Sequence, residues 1–394
     1  MKYRISGGRL IVGDRIVEAD LLLSGNRIEG VIAHSAPQDT SYEVIDARGL
    51  YVSPGFVDIH QHGGGGADYM DADANTYWRA TEAHLAHGMT SVMPTLLSAD
   101  TDALIRAIEA YKRAVDDPSI RVNLLGLHIE GPYISPAQAG AQKPEHIRAY
   151  NEEEYRAITS AGEGHIKRWS TAPEVAGADA FAAFAREQGI TLSIAHSNAD
   201  IDTVRHAYDE GFRHITHFYS CMSTITRRGG FRVAGLLEAG YLIRPMDVEI
   251  IADGCHLPPD LLTYVTSFKA CEHIALVTDA MRAAGEDVTE SFLGSHDDPL
   301  PVIIEDGVAK LCDRTAFAGS IATCDRLVRT MVQNGTPLPV AVQMMTEFPV
   351  RMMRPDLKKG TLAAGYDADI CLFDDNICVQ TVICGDKTVY NKAG

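Results

Sequence analysis

The sequence predicts an α/β protein in which a parallel (β/α)8 barrel carries a small β-sandwich built from both termini. Eight apolar, strand-like segments alternate with helical segments through the middle of the chain. Five of those segments end in polar side chains of the kind that bind metal ions, and both termini are rich in short strands and tight turns. Alternating strands and helices are typical of a parallel sheet. A parallel barrel also gathers residues from many strand ends at one rim, which explains the spread of the polar side chains.

The composition indicates a large globular protein. A chain of 394 residues suits one barrel with an accessory domain, and 46% hydrophobic with 22% charged residues is ordinary for a soluble protein. The formal net charge of -18 argues against nucleic acid and anionic membranes as partners. No signal-like N-terminus and no apolar run of about 18 residues is present, so we expect a cytoplasmic protein. The eight cysteines form no CxxC pair, and we expect reduced thiols.

Residues 1–51 and 358–394 are predicted to form the small β-sandwich. Residues 9–12 and 15–17 flank Gly13-Asp14 as a hairpin would. The C-terminus repeats this pattern around Gly385-Asp386. Because both ends are rich in strands, whereas the middle alternates strands with helices, we expect one small domain composed of both termini.

Residues 52–357 are predicted to form the barrel. Segments with helical periodicity, such as residues 178–187 and 201–210, separate the strands. The long irregular stretches follow strand ends, where substrate loops lie in barrels; they are residues 63–75, 131–147, 220–235 and 281–301. The predicted strands are residues 52–62, 90–97, 122–130, 165–172, 191–196, 214–219, 248–253 and 274–279.

The polar residues at these strand ends predict a metal centre. His60 and His62 are two residues apart on one strand, so both side chains point to the same face. A buried carboxylate at Glu130 needs a partner, and a cation is the one expected. Histidine and carboxylate ligands without cysteine are typical of Zn²⁺ or a similar ion in a catalytic site. The predicted ligands are His60, His62, Glu130, His196, His217 and Asp279.

These motifs resemble the amidohydrolase superfamily and, within it, the N-acetylglucosamine-6-phosphate deacetylase family. The resemblance covers essentially the whole chain. The HIEGPY-type motif at residues 128–133 and the DGxH motif at residues 253–256 are specific to the deacetylases, whereas HxH is a signal of the superfamily. The other matching segments are PGFVD (54–58), HQHG (60–63), AHS (195–197), TH (216–217), TDA (278–280) and GTLAAGYDAD (360–369).

The resemblance implies a hydrolase that removes the acetyl group from an N-acetyl amino-sugar 6-phosphate. It implies one or two divalent ions, zinc first, with Fe, Mn, Co or Ni as alternatives. One ion would lie near His60, His62 and Asp279. A second would lie on His196 and His217, and Glu130 would be shared. Such an ion lowers the pKa of a bound water towards about 7 and polarises the substrate carbonyl.

Asp279 is expected to be the catalytic residue as well as a ligand. A carboxylate at this place can take a proton from the attacking water and later deliver it to the leaving amine.

Further residues are expected to contact the substrate. By motif position, Arg228 matches the family arginine that binds phosphate, often across a dimer interface, so a homodimer is expected. His256 matches the family's phosphate-contacting histidine. This chain departs from the family at Ser220, which usually is Asn, and at Gln142, which usually is a His that helps hold the substrate's carbonyl. The other expected contacts are Cys221 and Ser320.

The sequence is compatible with three alternatives to this function. The first is the galactosamine epimer or another N-acyl compound, because Gln142 and Ser220 change the pocket. The second is a cyclic amidase or deaminase on the same barrel, against which the two specific motifs speak. The third is a non-catalytic barrel for protein interaction, which the intact ligand set disfavours.

Overall fold

The computed structural model describes residues 1–392, and Ala393 and Gly394, the last residues of the predicted small domain, lie outside the described residues. Within that range, eight strands pair in parallel, in chain order, to form the barrel. The ring closes where the backbone N–H of Asp279 donates to the carbonyl of His60 at 2.9 Å. The strands are β1 (Phe56–Gln61), β2 (Met89–Leu96), β3 (Leu127–Glu130), β4 (Ile166–Thr171), β5 (Thr191–Ile194), β6 (Phe212–Ile215), β7 (Asp247–Ile250) and β8 (Ile274–Leu276).

Two predicted strands are each divided by a glycine. Residues 52–62 split at Gly55, which separates Tyr51–Pro54 from β1. A Cβ atom at Gly55 would lie 2.2 Å from Oγ1 of Thr90, so only glycine fits between these strands. Residues 122–130 split at Gly126, whose φ of +112° favours glycine and separates Asn123–Leu124 from β3.

The termini supply two β-sheets that share one buried apolar core, to which Ile5 and Leu21 contribute from one sheet and Leu10 and Leu372 from the other. The four-stranded sheet has the order Arg27–Ile32, Asp20–Ser24, Lys2–Ser6, Glu43–Asp46. The six-stranded sheet has the order Lys387–Asn391, Val379–Cys384, Ile370–Phe373, Tyr51–Pro54, Arg9–Val12, Arg15–Glu18. The predicted fold class, a barrel with terminal β-sheets, is therefore confirmed.

Helices connect the barrel strands and cover them. Ala178–Glu187 and Ile201–Glu210 have the predicted bounds; the second begins after Asp200, whose side chain accepts from the N–H of Thr203, and ends at Gly211. No helix among residues 1–392 has the length and apolar character needed to span a membrane. The other α-helices are Thr76–Leu85, Thr101–Val115, Glu152–Gly162, Leu236–Leu242, Pro259–Phe268, Cys324–Gln333, Leu338–Met344 and Glu347–Met353; the 3-10 helices are Tyr69–Asp71, Pro136–Gln138, Pro144–His146 and Cys271–His273.

Stretches predicted to be irregular contain short strands in the structure. Thr226–Arg228 and Phe231–Val233 form an exposed hairpin. A three-stranded antiparallel sheet begins in residues 281–301 with Glu290–Leu293 and continues past them with Leu300–Glu305 and Val308–Leu311, for which no element was predicted. Segments this short carry too little alternation to indicate strands from sequence. A last small pair joins Gly63–Gly64 to Ala67–Asp68.

Candidate active site

The six residues predicted as metal ligands meet at the carboxyl ends of the barrel strands. They form two buried groups, and the ligand atoms within each group all lie within 4.8 Å of one another. Each group joins different strands, as a site at the rim of a parallel barrel requires. The groups are His60, His62 and Asp279, and Glu130, His196 and His217.

Three of these residues have a left-handed backbone. The φ angles of His196, His217 and Asp279 are 46°, 30° and 47°, and each residue lies just past the end of its strand. Residues other than glycine adopt this conformation at a cost, and it is concentrated at functional sites. The backbone of Asp279 is held on both sides, because its carbonyl also accepts from the N–H of Ser320 at 2.8 Å.

Glu130 stands between the two groups. Its Oε1 lies 2.9 Å from Nε2 of His217 and 3.3 Å from Nε2 of His196. Its Oε2 faces Nε2 of His62 at 3.4 Å. Burial alone would raise the pKa of Glu130, but the surrounding imidazoles, His60 first among them, outweigh it and hold the pKa well below its usual value. The carboxylate is therefore ionised and available to both groups.

Three of the four histidines are oriented by acceptors behind them. Nδ1 of His60, His62 and His196 each faces an oxygen atom that can only accept a hydrogen bond, so each Nδ1 carries a proton. Each Nε2 then faces the site, where its lone pair serves a cation once any proton on it is displaced. These acceptors are a carboxylate oxygen of Glu249 at 3.1 Å, the carbonyl of Thr95 at 3.3 Å and the carbonyl of Gln138 at 2.8 Å. Converging imidazole lone pairs and carboxylate oxygens fit a divalent cation.

Asp279 has the position that a ligand and proton acceptor would need. Its Oδ1 lies 3.1 Å from Nε2 of His62 and 3.4 Å from Nε2 of His60. Burial alone would raise its pKa, but these two imidazoles lower the pKa below its ordinary value. The residue lines the cavity beside the two groups, so its carboxylate can reach a bound molecule.

A cavity of about 310 Å³ opens onto both groups, and four of the predicted substrate contacts line it. Gln142 already has two partners, because its Nε2 donates to Oε2 of Glu130 at 2.9 Å and its Oε1 accepts from the N–H of Ser98 at 3.1 Å. His256 is held by Asp253, whose carboxylate lies 2.8 Å from Nδ1. The four lining contacts are Gln142, Ser220, Cys221 and His256.

The other two predicted contacts lie away from the cavity lining. Ser320 is fully buried, and its hydroxyl donates to the carbonyl of Thr278. Arg228 lies on the exposed hairpin, where its side chain is 75% exposed and pairs with Asp200 at 2.9 Å. The structure thus places Ser320 behind Asp279, and Arg228 on the surface of this chain.

Sequence reasoning missed residues that support or cover the site. Glu249 and Arg168 are fully buried beside the histidines. The only signal was a charged residue within an apolar strand, as in Val248-Glu249-Ile250. Leu293 and Phe317, from the segment beyond β8, also line the cavity.

Comparison with known proteins agrees with this geometry. Residues 51–389 match the model of the Amidohydrolase family, and the chain belongs to that family. It is therefore a hydrolase of the amidohydrolase class, as its fold and strand-end ligands indicate.

Individual members of the family that are similar to this chain are deacetylases of amino-sugar phosphates. The chain is 30% identical to the N-acetylglucosamine-6-phosphate deacetylase of Bacillus subtilis (strain 168) over 370 residues, which cover 92% of this chain and 90% of that protein. It is also 30% identical to the N-acetylgalactosamine-6-phosphate deacetylase of Shewanella sp. (strain ANA-3) over 342 residues, 85% of this chain and 82% of that one. The structure of a Mycobacterium smegmatis N-acetyl-D-glucosamine-6-phosphate deacetylase mutant in complex with N-acetyl-D-glucosamine-6-phosphate matches with a TM-score of 0.90 at 29% identity, covering 99% of this chain and 100% of that one. The predicted family resemblance is confirmed.

Proposed function

We propose that this protein is a metal-dependent deacetylase of N-acetyl amino-sugar 6-phosphates, with N-acetylglucosamine 6-phosphate as the first substrate. The products would be the amino-sugar phosphate and acetate. The observation that carries the proposal is Glu130, which stands between two histidine groups at the floor of a cavity of about 310 Å³. Relatives with this activity, similar over nearly the whole chain, support it.

The metal-binding residues are proposed as two sets with one shared member. His60, His62 and Asp279 would hold one ion, His196 and His217 the other, and Glu130 both. We propose zinc, with Fe, Mn, Co or Ni as alternatives. A divalent ion bound there lowers the pKa of a water molecule towards about 7 and polarises a carbonyl oxygen.

Asp279 is proposed as the catalytic residue. Its low pKa leaves it ionised at neutral pH, so it can accept a proton beside the cavity and return that proton to the leaving amine. Ser320 supports this role from behind, because its N–H donates to the carbonyl of Asp279 at 2.8 Å. Leu293 and Phe317 would shield the reacting groups from water.

The phosphate would be held by His256 and, in a homodimer, by Arg228. Asp253 engages Nδ1 of His256, which leaves Nε2 without that partner; when the ring carries a proton on both nitrogens, Nε2 can donate to an anion. Arg228 is exposed on its hairpin and outside the cavity of its own chain, which suits a contact to the partner's substrate. Ser220 and Cys221 would line the phosphate end and Gln142 the acyl end.

A second candidate is deacetylation of N-acetylgalactosamine 6-phosphate or of another N-acyl compound. The observation that favours it is Gln142, whose amide is engaged by Glu130 and Ser98 and replaces the histidine of the family. A relative named for the galactosamine substrate is 30% identical. A cyclic amidase or deaminase has less support, since it would leave the deacetylase motifs unexplained.

Acetate release from four compounds tests the proposal: N-acetylglucosamine, N-acetylgalactosamine and the 6-phosphate of each. We expect the glucosamine phosphate to have the highest kcat/KM, and chelator-treated protein to be inactive until a divalent ion is restored. Preference for the galactosamine phosphate would select the second candidate. Full activity in metal-free protein would overturn the mechanism.

The proposal includes the organisation of the chain. Residues 1–51 with 358–394 would form the β-sandwich and residues 52–357 the catalytic barrel, except that the strand Tyr51–Pro54 belongs to the six-stranded terminal sheet. The protein would be a cytoplasmic homodimer. Sedimentation of the purified protein tests the dimer, and cell fractionation tests the location.

A further inference from the structure

A buried ion pair lies inside the barrel, directly behind the candidate metal ligands. Arg168 on β4 and Glu249 on β7 are both fully buried, and Nη1 of the arginine contacts Oε1 of the glutamate. The interior of such a barrel is usually filled by branched apolar side chains. Burying two charges costs free energy that their mutual attraction only partly returns, so stability alone is a weak reason for the pair.

The guanidinium of Arg168 is fixed by several strands at once. Nε donates to Oγ of Ser193 on β5 at 2.9 Å, and Nη1 donates to the carbonyl of Ile59 on β1 at 3.2 Å. Nη2 donates to Oγ1 of Thr216, just beyond β6, at 2.8 Å. These contacts leave the guanidinium one orientation, and they therefore set the orientation of the Glu249 carboxylate.

The second oxygen of Glu249 contacts one residue from each ligand group. Oε2 lies 3.1 Å from Nδ1 of His60 and accepts from the backbone N–H of His217 at 3.2 Å. The first contact keeps the proton of His60 on Nδ1 and leaves the Nε2 lone pair facing the site. The second contact gives the backbone N–H of His217 a hydrogen-bond acceptor and holds this residue in its left-handed conformation, where φ is 30°.

We propose that Glu249, oriented by Arg168, is a positioning residue for both metal groups. It fixes the ring of His60 in the first group and the backbone of His217 in the second. Neither Glu249 nor Arg168 lines the cavity, so both act through the ligands rather than on substrate. The inference rests on the proposed function in one respect, that the two groups bind divalent ions.

Titration of the chelator-stripped protein with Co²⁺, followed by visible absorption, tests this role without substrate. Glu249→Gln should bind Co²⁺ about 10- to 100-fold more weakly, the usual effect of removing a partner behind a metal ligand. Its absorption spectrum should also change, because the ring of His60 is no longer fixed. Asp20→Asn is the matched control: Asp20 is fully buried and pairs with Arg4 at 2.6 Å in the terminal sheets, away from the site. We expect this control to lose thermal stability while keeping wild-type Co²⁺ binding.

A double variant distinguishes weakened Co²⁺ binding from loss of the folded structure. Arg168→Met with Glu249→Met removes both charges, and replacing a buried ion pair by apolar side chains is often neutral or stabilising. We expect a folded protein with the same weakened Co²⁺ binding. Unchanged binding in the folded variants, with wild-type binding intact, would overturn the positioning role alone. Wild-type protein that binds no Co²⁺ would overturn the metal-dependent function, and this role with it.

Discussion

One oxygen of the Glu130 carboxylate lies 2.9 Å from Nε2 of His217, while the other oxygen faces the opposite ligand group. A single side chain thus links the two candidate metal sites. The sites should consequently not be independent, and variants should reveal which ligands are shared.

Glu130→Gln should lower the occupancy of both ions, because the variant keeps the size of the side chain but removes the shared charge. His196→Ala should mainly empty the group that contains His217. Metal content after dialysis, measured by mass spectrometry on equal amounts of protein, distinguishes the two patterns. Two ions retained by Glu130→Gln would rule out a shared ligand.

Asp279→Asn should reduce turnover by a factor of about 10² to 10⁴ or more, the usual contribution of a general acid–base group. The change preserves shape and removes the proton acceptor. Metal content of the same sample separates loss of the proton acceptor from loss of the ion. If the variant works within tenfold of wild type, another residue must be the base.

Arg228→Ala should remove most of the preference for a phosphorylated sugar and leave turnover of the neutral sugar nearly unchanged. A charge-assisted contact contributes about 1.5–3 kcal/mol, which corresponds to about 10- to 150-fold in kcat/KM. Arg227→Ala is the control, since Arg227 is exposed on the same strand of the hairpin. Dilution to monomers should remove the same preference if the arginine acts across subunits. Equal rates with and without phosphate in the wild type would leave the deacylase chemistry but exclude the sugar phosphate.

The ion-free protein should lose stability between pH 6.5 and about 10 because of His62. Burial alone would lower the pKa of His62, but Asp279 and Glu130 outweigh it and raise the pKa to about 10. The folded protein therefore binds this proton more tightly than the unfolded chain. The resulting stabilisation is fully present below pH 6.5 and disappears as the pH rises through about 10.

Thermal unfolding of the chelator-stripped wild type and of His62→Asn, measured across this pH range, gives the difference in stability between the two proteins. This difference in stability should shrink as the pH rises. A divalent ion must displace the same proton, so ion uptake should release protons and strengthen with pH. A constant difference from pH 6.5 to 10 would contradict the assignment.

The sequence predicted the fold and the strand-end side chains because both depend on local pattern. Apolar runs that end in His60, Glu130 or Asp279 indicate strands, and a parallel barrel brings strand ends together whatever the loops do. Helix Ile201–Glu210 was predictable because Asp200 and Gly211 mark its ends.

Long-range contacts were not predictable in the same way. A lone Glu249 in an apolar strand carries no sign that its partner is Arg168, which lies 81 residues earlier in the chain. Nor does the motif around Arg228 indicate that its side chain pairs with Asp200 on the surface. The short strands of Glu290–Leu293 and Val308–Leu311 depend on pairing with a segment between them rather than on their own pattern.

The single residue between Tyr51–Pro54 and β1 ties the terminal sheets to the barrel. Gly55 packs against Thr90, and its N–H donates to the carbonyl of Asp369 at 2.8 Å. A hinge needs residues that are free to rotate, and Gly55 is packed and hydrogen-bonded, so this junction lacks the character of a hinge. Access to the cavity would then depend on the segments that line it, such as the one that carries Phe317.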